Sequence, residues 1–134
     1  MKPMEETRVI VCGGRTFSDK ELCWRTLDQV LAGRTNIVII SGHARGADSF
    51  GEEYAQEHGL RTCLFKPDWK RYGRAAGPIR NREMLTYALD GKALIVAFWD
   101  GNSKGTRDMI RKGRDAGAEV IVTYYAMNQE TNHG

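Results

Sequence analysis

A chain of 134 residues, 41% hydrophobic and 28% charged, has room for one domain with a buried core. No apolar run is long enough to cross a bilayer, and the polar start MKPMEETR lacks the apolar stretch of a signal peptide. No membrane-spanning helix is expected, and the cytoplasm is the expected compartment. The net charge of +3 is too mild to mark a nucleic-acid binder.

The chain alternates short apolar runs with longer amphipathic ones. RVIVC (8–12) reads as a first strand buried on both faces. A helix is predicted over 18–32. Ser18 and Glu21 have the form of a capping box, and Cys23, Leu27, Val30 and Leu31 share one face. IVIIS (37–41) is the second strand, and a helix over about 49–58 follows, ending before Gly59. TCLFK (62–66) is the third strand. The Gly-, Pro- and Arg-rich stretch 67–78 reads as a long loop, and a helix over about 78–89 begins with Pro78 in its first turn. ALIVAFW (93–99) is the fourth strand, a helix over 106–116 carries Met109, Ile110 and Gly113 on one face, and EVIVTYY (119–125) closes the set.

Strand–helix alternation with apolar strands predicts an α/β fold. It would be a single Rossmann-like, doubly wound parallel sheet of about five strands with helices on both faces. Residues 1–134 are read as one domain, with a core over about 8–125 and a polar, frayed tail over 126–134. The pattern carries no strand order. Cys12, Cys23 and Cys63 form no Cys-x-x-Cys pair and no histidine stands at zinc-like spacing, so free, buried or half-buried thiols are expected and no metal.

In a parallel sheet every strand-to-helix turn emerges at the carboxyl edge, where ligands bind. Three such turns are glycine-rich: GGRTFSD (13–19), GHARGAD (42–48) and DGNSKGT (100–106). Each feeds a helix N-terminus, whose unpaired N–H groups and dipole favour an anion. Arg15 and Arg45 add cations, and Ser41, Ser103 and Thr106 add hydroxyl donors. Asp48 and Thr106 also suit the plainer role of helix caps. There is no Walker loop and no clean Gly-x-Gly-x-x-Gly, which disfavours a conventional ATPase or NAD dehydrogenase.

Charge is concentrated in 66–82, where Lys66, Lys70, Arg71, Arg74, Arg80 and Arg82 face Asp68 alone, a net of +5 that leaves −2 for the rest. Trp69 and Tyr72 are interleaved with these cations. They suit a base stacked on a ring with its phosphates held by arginine, or they pin a long loop onto the body. Arg80 and Asn81, near the start of the next helix, are placed to face the pocket.

GGRTFSD, SGHARGAD, DWKRYGRAAGPIRNREM and GNSKGT, in that order, resemble the YspA-like, cpYpsA-related family of the SLOG superfamily, small Rossmann-like domains of bacteria and their phages. The resemblance covers about 8–124. SGHARGAD is also similar to the Ser-Gly-x-Ala-x-Gly-Ile-Asp stretch of the DprA/Smf DNA-processing family, and GNSKGT to the phosphate loop of the Lonely-Guy phosphoribohydrolases. What the resemblance implies is a site for a nucleotide or nucleotide-derived ligand, with Gly105 and Thr106 at the phosphate. In the phosphoribohydrolases a glutamate stands three residues after the loop threonine. That position here is Met109, and Asp108 is turned about 100° from it on a helix.

The leading expectation is a binding module, a sensor or carrier for a nucleotide-like ligand. Its contacts would be Gly13, Gly14, Arg15, Ser41, Gly42, Arg45, Gly46, Asp48, Trp69, Arg80, Asn81, Gly105 and Thr106. An N-glycosidase is the alternative, with Asp48, Asp100 and Asp108 as candidate carboxylates. Single-stranded nucleic-acid binding is the third reading, and a homo-oligomer is left open. All of them require Arg15, Arg45 and Thr106 to meet around one hollow.

Overall fold

The computed structural model describes residues 5–126. In chain order the elements are β1 (Thr7–Gly13), α1 (Lys20–Leu31), β2 (Ile37–Ser41), α2 (Ala47–Glu57), β3 (Arg61–Leu64), α3 (Trp69–Tyr72), α4 (Ala76–Leu89), β4 (Lys92–Trp99), α5 (Lys104–Asp115) and β5 (Glu119–Tyr124). The five strands form one sheet in the order β3-β2-β1-β4-β5, every pairing parallel. The expected α/β, doubly wound architecture is present. Of the tail expected over 126–134, residues 127–134 lie outside the described residues.

Alternation along each central strand explains why its sequence is apolar throughout. Val9 and Val11 of β1, with Ile39, Leu94, Val96 and Phe98, face Cys23, Leu27 and Leu31 of α1 and Tyr54 and Ala55 of α2. Ile10 and Cys12, with Ile40, Ile95 and Ala97, face Met84, Leu85 and Ala88 of α4 and Met109 and Ile110 of α5. Both faces are covered, so neither can be polar. Burial on both faces does not extend to β3, where Arg61, Thr62 and Leu64 are exposed, nor to β5, which is mostly half-buried. Each is an edge strand with one neighbour, and edges tolerate polar residues.

Several boundaries differ from those predicted. Helix α1 is capped by Asp19, whose Oδ1 accepts the Leu22 N–H at 2.9 Å, and not by Ser18. Phe17 sets this phase: buried between the rings of Phe98 and Tyr125, each at 4.8 Å, it holds the turn so that a carboxylate arrives at the helix start. Helix α2 begins two residues early, after Gly46 at φ +82°, which puts Asp48 in the first turn. Helix α5 likewise begins at Lys104 and not Thr106, with Ser103 as its N-cap residue. The stretch 67–78 is folded where a loop was expected. The Asp68 carboxylate accepts the Arg71 N–H at 3.1 Å and starts α3, which runs through a 3-10 turn (Gly73–Ala75) into α4.

The three cysteines are free, Cys12 and Cys23 buried and Cys63 half-buried. Among the described residues no helix is long and apolar enough to cross a membrane.

Candidate functional site

Strands β1 and β4 are neighbours, but the helices that follow them, α1 and α5, pack on opposite faces of the sheet. A crevice must open where they part, at the carboxyl ends of these two strands. The last backbone bond across it runs from the Gly14 N–H to the Phe98 carbonyl, 3.4 Å. Beyond that bond lies a cavity of about 560 Å³, within the usual size range of small-ligand sites.

One wall is the first turn, with Gly13, Gly14, Arg15 and Thr16, and the opposite wall is the fourth-strand turn, from Asp100 to Thr106. Asp48 comes from the second turn, Arg80 and Asn81 from α4, and Trp69 from α3. Thus Gly13, Gly14, Arg15, Asp48, Trp69, Arg80, Asn81, Gly105 and Thr106 share one hollow. Gly42 and Arg45 line an adjoining hollow of about 350 Å³, whose wall includes Arg15, Trp69 and Arg80 from the first. Arg15 and Thr106 therefore line one hollow and Arg45 the other, with Arg15 common to both.

Ser41 and Gly46 line neither hollow. The Ser41 hydroxyl is fully buried, donates to Glu52 Oε2 at 2.6 Å and accepts the His43 N–H at 3.0 Å. It shapes the second turn from beneath. A Cβ on Gly46 would stand 2.5 Å from the Gly14 carbonyl oxygen, so this glycine lets the first and second turns touch backbone to backbone.

The polar side chains are held by one another. Arg80 donates through Nη1 to the Gly42 carbonyl at 2.7 Å and through Nε to Asn81 Oδ1 at 3.1 Å. Asn81 in turn donates through Nδ2 to the Gly105 carbonyl at 3.3 Å and to Asp108 Oδ2 at 2.9 Å. It ties α4 to the first turn of α5 and has no amide hydrogen-bonding atom left unused. Asp108 also pairs with Lys112 one turn on.

The three candidate carboxylates differ in environment. Asp48 is 5% exposed. Burial pushes its carboxyl up to about 6, against the opposing pull of the Ala44 N–H, which donates to it at 3.3 Å, and of the Arg80 charge. Asp100 accepts the N–H groups of Asn102 and Ser103, each at 2.8 Å, and these bonds hold it below the usual carboxylate range. It orders its own turn. Asp108 is engaged as described. Met109, in the glutamate position, is buried in the core beneath the cavity. The Cys12 thiol at the cavity floor is pushed up by burial and is a poor nucleophile there.

No side chain caps α5, in contrast to Asp19 on α1. Its first-turn residues Lys104, Gly105 and Thr106 line the cavity, and their N–H groups have no partner within the helix. Two contributors escaped the sequence reading. Glu52 bonds to both Ser41 and His43, and its signal was the i+4 spacing from Asp48 on α2. Lys104 reads as a solvated loop cation until the helix is seen to begin there. Among the described residues no group of three metal-ligating side chains is present.

Residues 7–72 match the family model described as the YspA, cpYpsA-related SLOG family. The chain is 33% identical over 120 residues to the Gene 61 protein of Mycobacterium phage D29, covering 85% of this chain and 94% of that one. A solved structure, the DNA processing protein A of Streptococcus pneumoniae, matches with a TM-score of 0.49 and 17% identity over 87% of this chain. The chain spans 58% of the length of that structure. Matched by that family model over residues 7–72, the chain belongs to the YspA, cpYpsA-related SLOG family.

Proposed function

We propose that the crevice between β1 and β4 binds a nucleotide or nucleotide-derived phosphorylated ligand, as a sensor or carrier. The observation that carries this reading is the uncapped start of α5, which shares one cavity with Arg15, Arg80 and Lys104. A phosphate there accepts backbone N–H bonds and meets a favourable helix dipole. Arg80 is already fixed in place by Gly42 and Asn81, so little ordering remains to be done on binding. Trp69, 49% exposed at the cavity mouth, offers a ring face to a base.

Calorimetry on the folded protein with nucleoside mono- and diphosphates, cyclic dinucleotides and ADP-ribose tests the reading. Saturable binding of at least one of them is expected. Absence of binding across the panel overturns it.

A second reading, N-glycosidic hydrolysis, is favoured by one observation: Asp48 is a buried carboxyl at the cavity wall with a raised pKa. Such a group suits proton transfer near neutral pH. Incubation with nucleoside monophosphates and chromatography for free base decides between binding alone and cleavage. No base release at high protein concentration removes the hydrolase. An oligonucleotide titrated at rising salt tests the nucleic-acid alternative, which demands a steep loss of affinity.

A further inference from the structure

We infer that the ligand of this site carries two phosphate groups on opposite sides of a nucleoside, the second seated in the adjoining hollow beside Arg45 and Lys66. The inference rests on the nucleotide-binding reading above and specifies the ligand class.

The two hollows differ in charge. The first has Arg15, Arg74, Arg80 and Lys104 but also three carboxylates, Asp48, Asp100 and Asp108. The second has Arg15, Arg45, Lys66 and Arg80, with His43, and no Asp or Glu in its lining. Arg8, Arg34 and Arg61 elsewhere in the chain are each paired with a glutamate within 3.2 Å. Among the described residues, Arg15, Arg45 and Lys66 have no such partner within 4.0 Å. Single solvated cations are ordinary on a protein surface, and an isolated one would carry nothing. Here four surround a concave space whose potential nothing in the lining offsets.

The turn that presents Arg45 is built and held. His43 stands at φ +59°, a conformation that side chains other than glycine rarely take. It is retained because its N–H reaches Ser41 Oγ at 3.0 Å and its ring nitrogen Nδ1 meets Glu52 Oε2, also at 3.0 Å. Arg80 bridges to the Gly42 carbonyl on the same turn. Arg80 lines both hollows, as do Arg15 and Trp69, and these shared residues form the partition between them.

A ligand that uses both spaces must cross this partition. A phosphate at the start of α5 and another by Arg45 and Lys66 stand on either side of the ring that would stack a base. Two adjacent phosphates, as in a nucleoside diphosphate, remain on one side. A nucleoside with phosphates at two separate oxygens reaches both, and so does a dinucleotide.

The test is titration calorimetry on the whole protein with 5′-AMP, ADP, adenosine 3′,5′-bisphosphate and the dinucleotide pApA, repeated with the guanine series. Wild-type protein and an Arg45→Ala/Lys66→Ala double variant are compared, with thermal melts confirming that the variant folds. Both substituted side chains are exposed. The bisphosphate or the dinucleotide is expected to bind roughly tenfold or more tighter than the monophosphate. In the double variant that ratio is expected to fall to about one. Whichever compound shows the variant-sensitive gain identifies the source of the second phosphate. A ratio near one in the wild type overturns the inference and leaves nucleotide binding standing. So does a gain matched by ADP, or one that survives the double substitution. If no compound binds, the inference falls, and the nucleotide-binding reading falls with it only if cyclic dinucleotides and ADP-ribose also fail to bind.

Discussion

The Arg80 guanidinium donates to the Gly42 carbonyl at 2.7 Å, and a single added methyl group at Gly42 would strike that donor. A Cβ on Gly42 would stand 2.5 Å from Arg80 Nη1, 2.8 Å from its Cζ and 3.0 Å from Asp48 Oδ2. The obstruction is mainly the far end of a flexible side chain, so Arg80 can swing aside. Gly42→Ala is therefore expected to cost only about 1 kcal/mol of stability, the net worth of one hydrogen bond. Nucleotide affinity is expected to fall about tenfold or more, because the displaced cation no longer faces the crevice. Denaturant melts and calorimetry on one variant separate the two effects. Unchanged affinity would remove Arg80 from the site.

Asp48 gives the pH dependence. Its carboxyl ordinarily titrates at 3.8 and here at about 6, raised by burial. Well below pH 3.8 it is protonated in both folded and unfolded chains. As pH rises to 6 the unfolded chain releases this proton first, so stability falls, by roughly 3 kcal/mol in total. Asp48→Asn keeps an acceptor for the Ala44 N–H and removes the titration. Its stability is expected to stay flatter than that of the wild type between pH 4 and 6.5. Parallel profiles for the two proteins would show that the carboxyl is not perturbed.

Asn81 is expected to act by positioning. It is 4% exposed, and its amide joins Arg80, Gly105 and Asp108. Asn81→Ala leaves three polar partners short of a bond and is expected to cost about 1–3 kcal/mol. The first turn of α5 loses its tether to α4, so phosphate affinity is expected to drop together with hydrogen-exchange protection at Arg107, whose N–H donates to the Ser103 carbonyl at 3.1 Å. Full protection there in the variant would contradict the assignment.

Trp69 is expected to matter for the base and not for the fold. Half of its surface is open, and Trp69→Ala is expected to shift stability by less than about 1 kcal/mol. Loss of stacking is expected to weaken nucleotide binding by about 1–3 kcal/mol, while Trp69→Phe recovers part of it. Inorganic phosphate, having no base, serves as the control. Equal weakening of phosphate and nucleotide would place Trp69 outside the stacking role.

Strands β1, β2 and β4 were legible because burial on both faces demands an unbroken apolar run, a demand written locally in the chain. Their order in the sheet was not, since β1 pairs with β2 and β4 through backbone groups that every sequence shares. Helix α3 escaped notice because four residues are too few to show a periodicity. Its only signal was Asp68, a cap three residues before Arg71. The same limit applied to the site. Glycine-rich turns announced where backbone would approach a ligand, but not which glycines instead admit another turn. Gly46 meets the Gly14 carbonyl, a contact between positions thirty-two apart, and no local pattern encodes it.

The bond from the Gly14 N–H to the Phe98 carbonyl is the last rung joining β1 to β4 before the two backbones diverge. Everything above it is a seam between the earlier and later halves of the chain. A molecule lodged in that seam acts as a keystone, braced on the first half by Arg15 and on the second by Thr106. Occupancy would thus be felt as mechanical stiffness along the whole top of the sheet, and a change in rigidity is something another macromolecule can read.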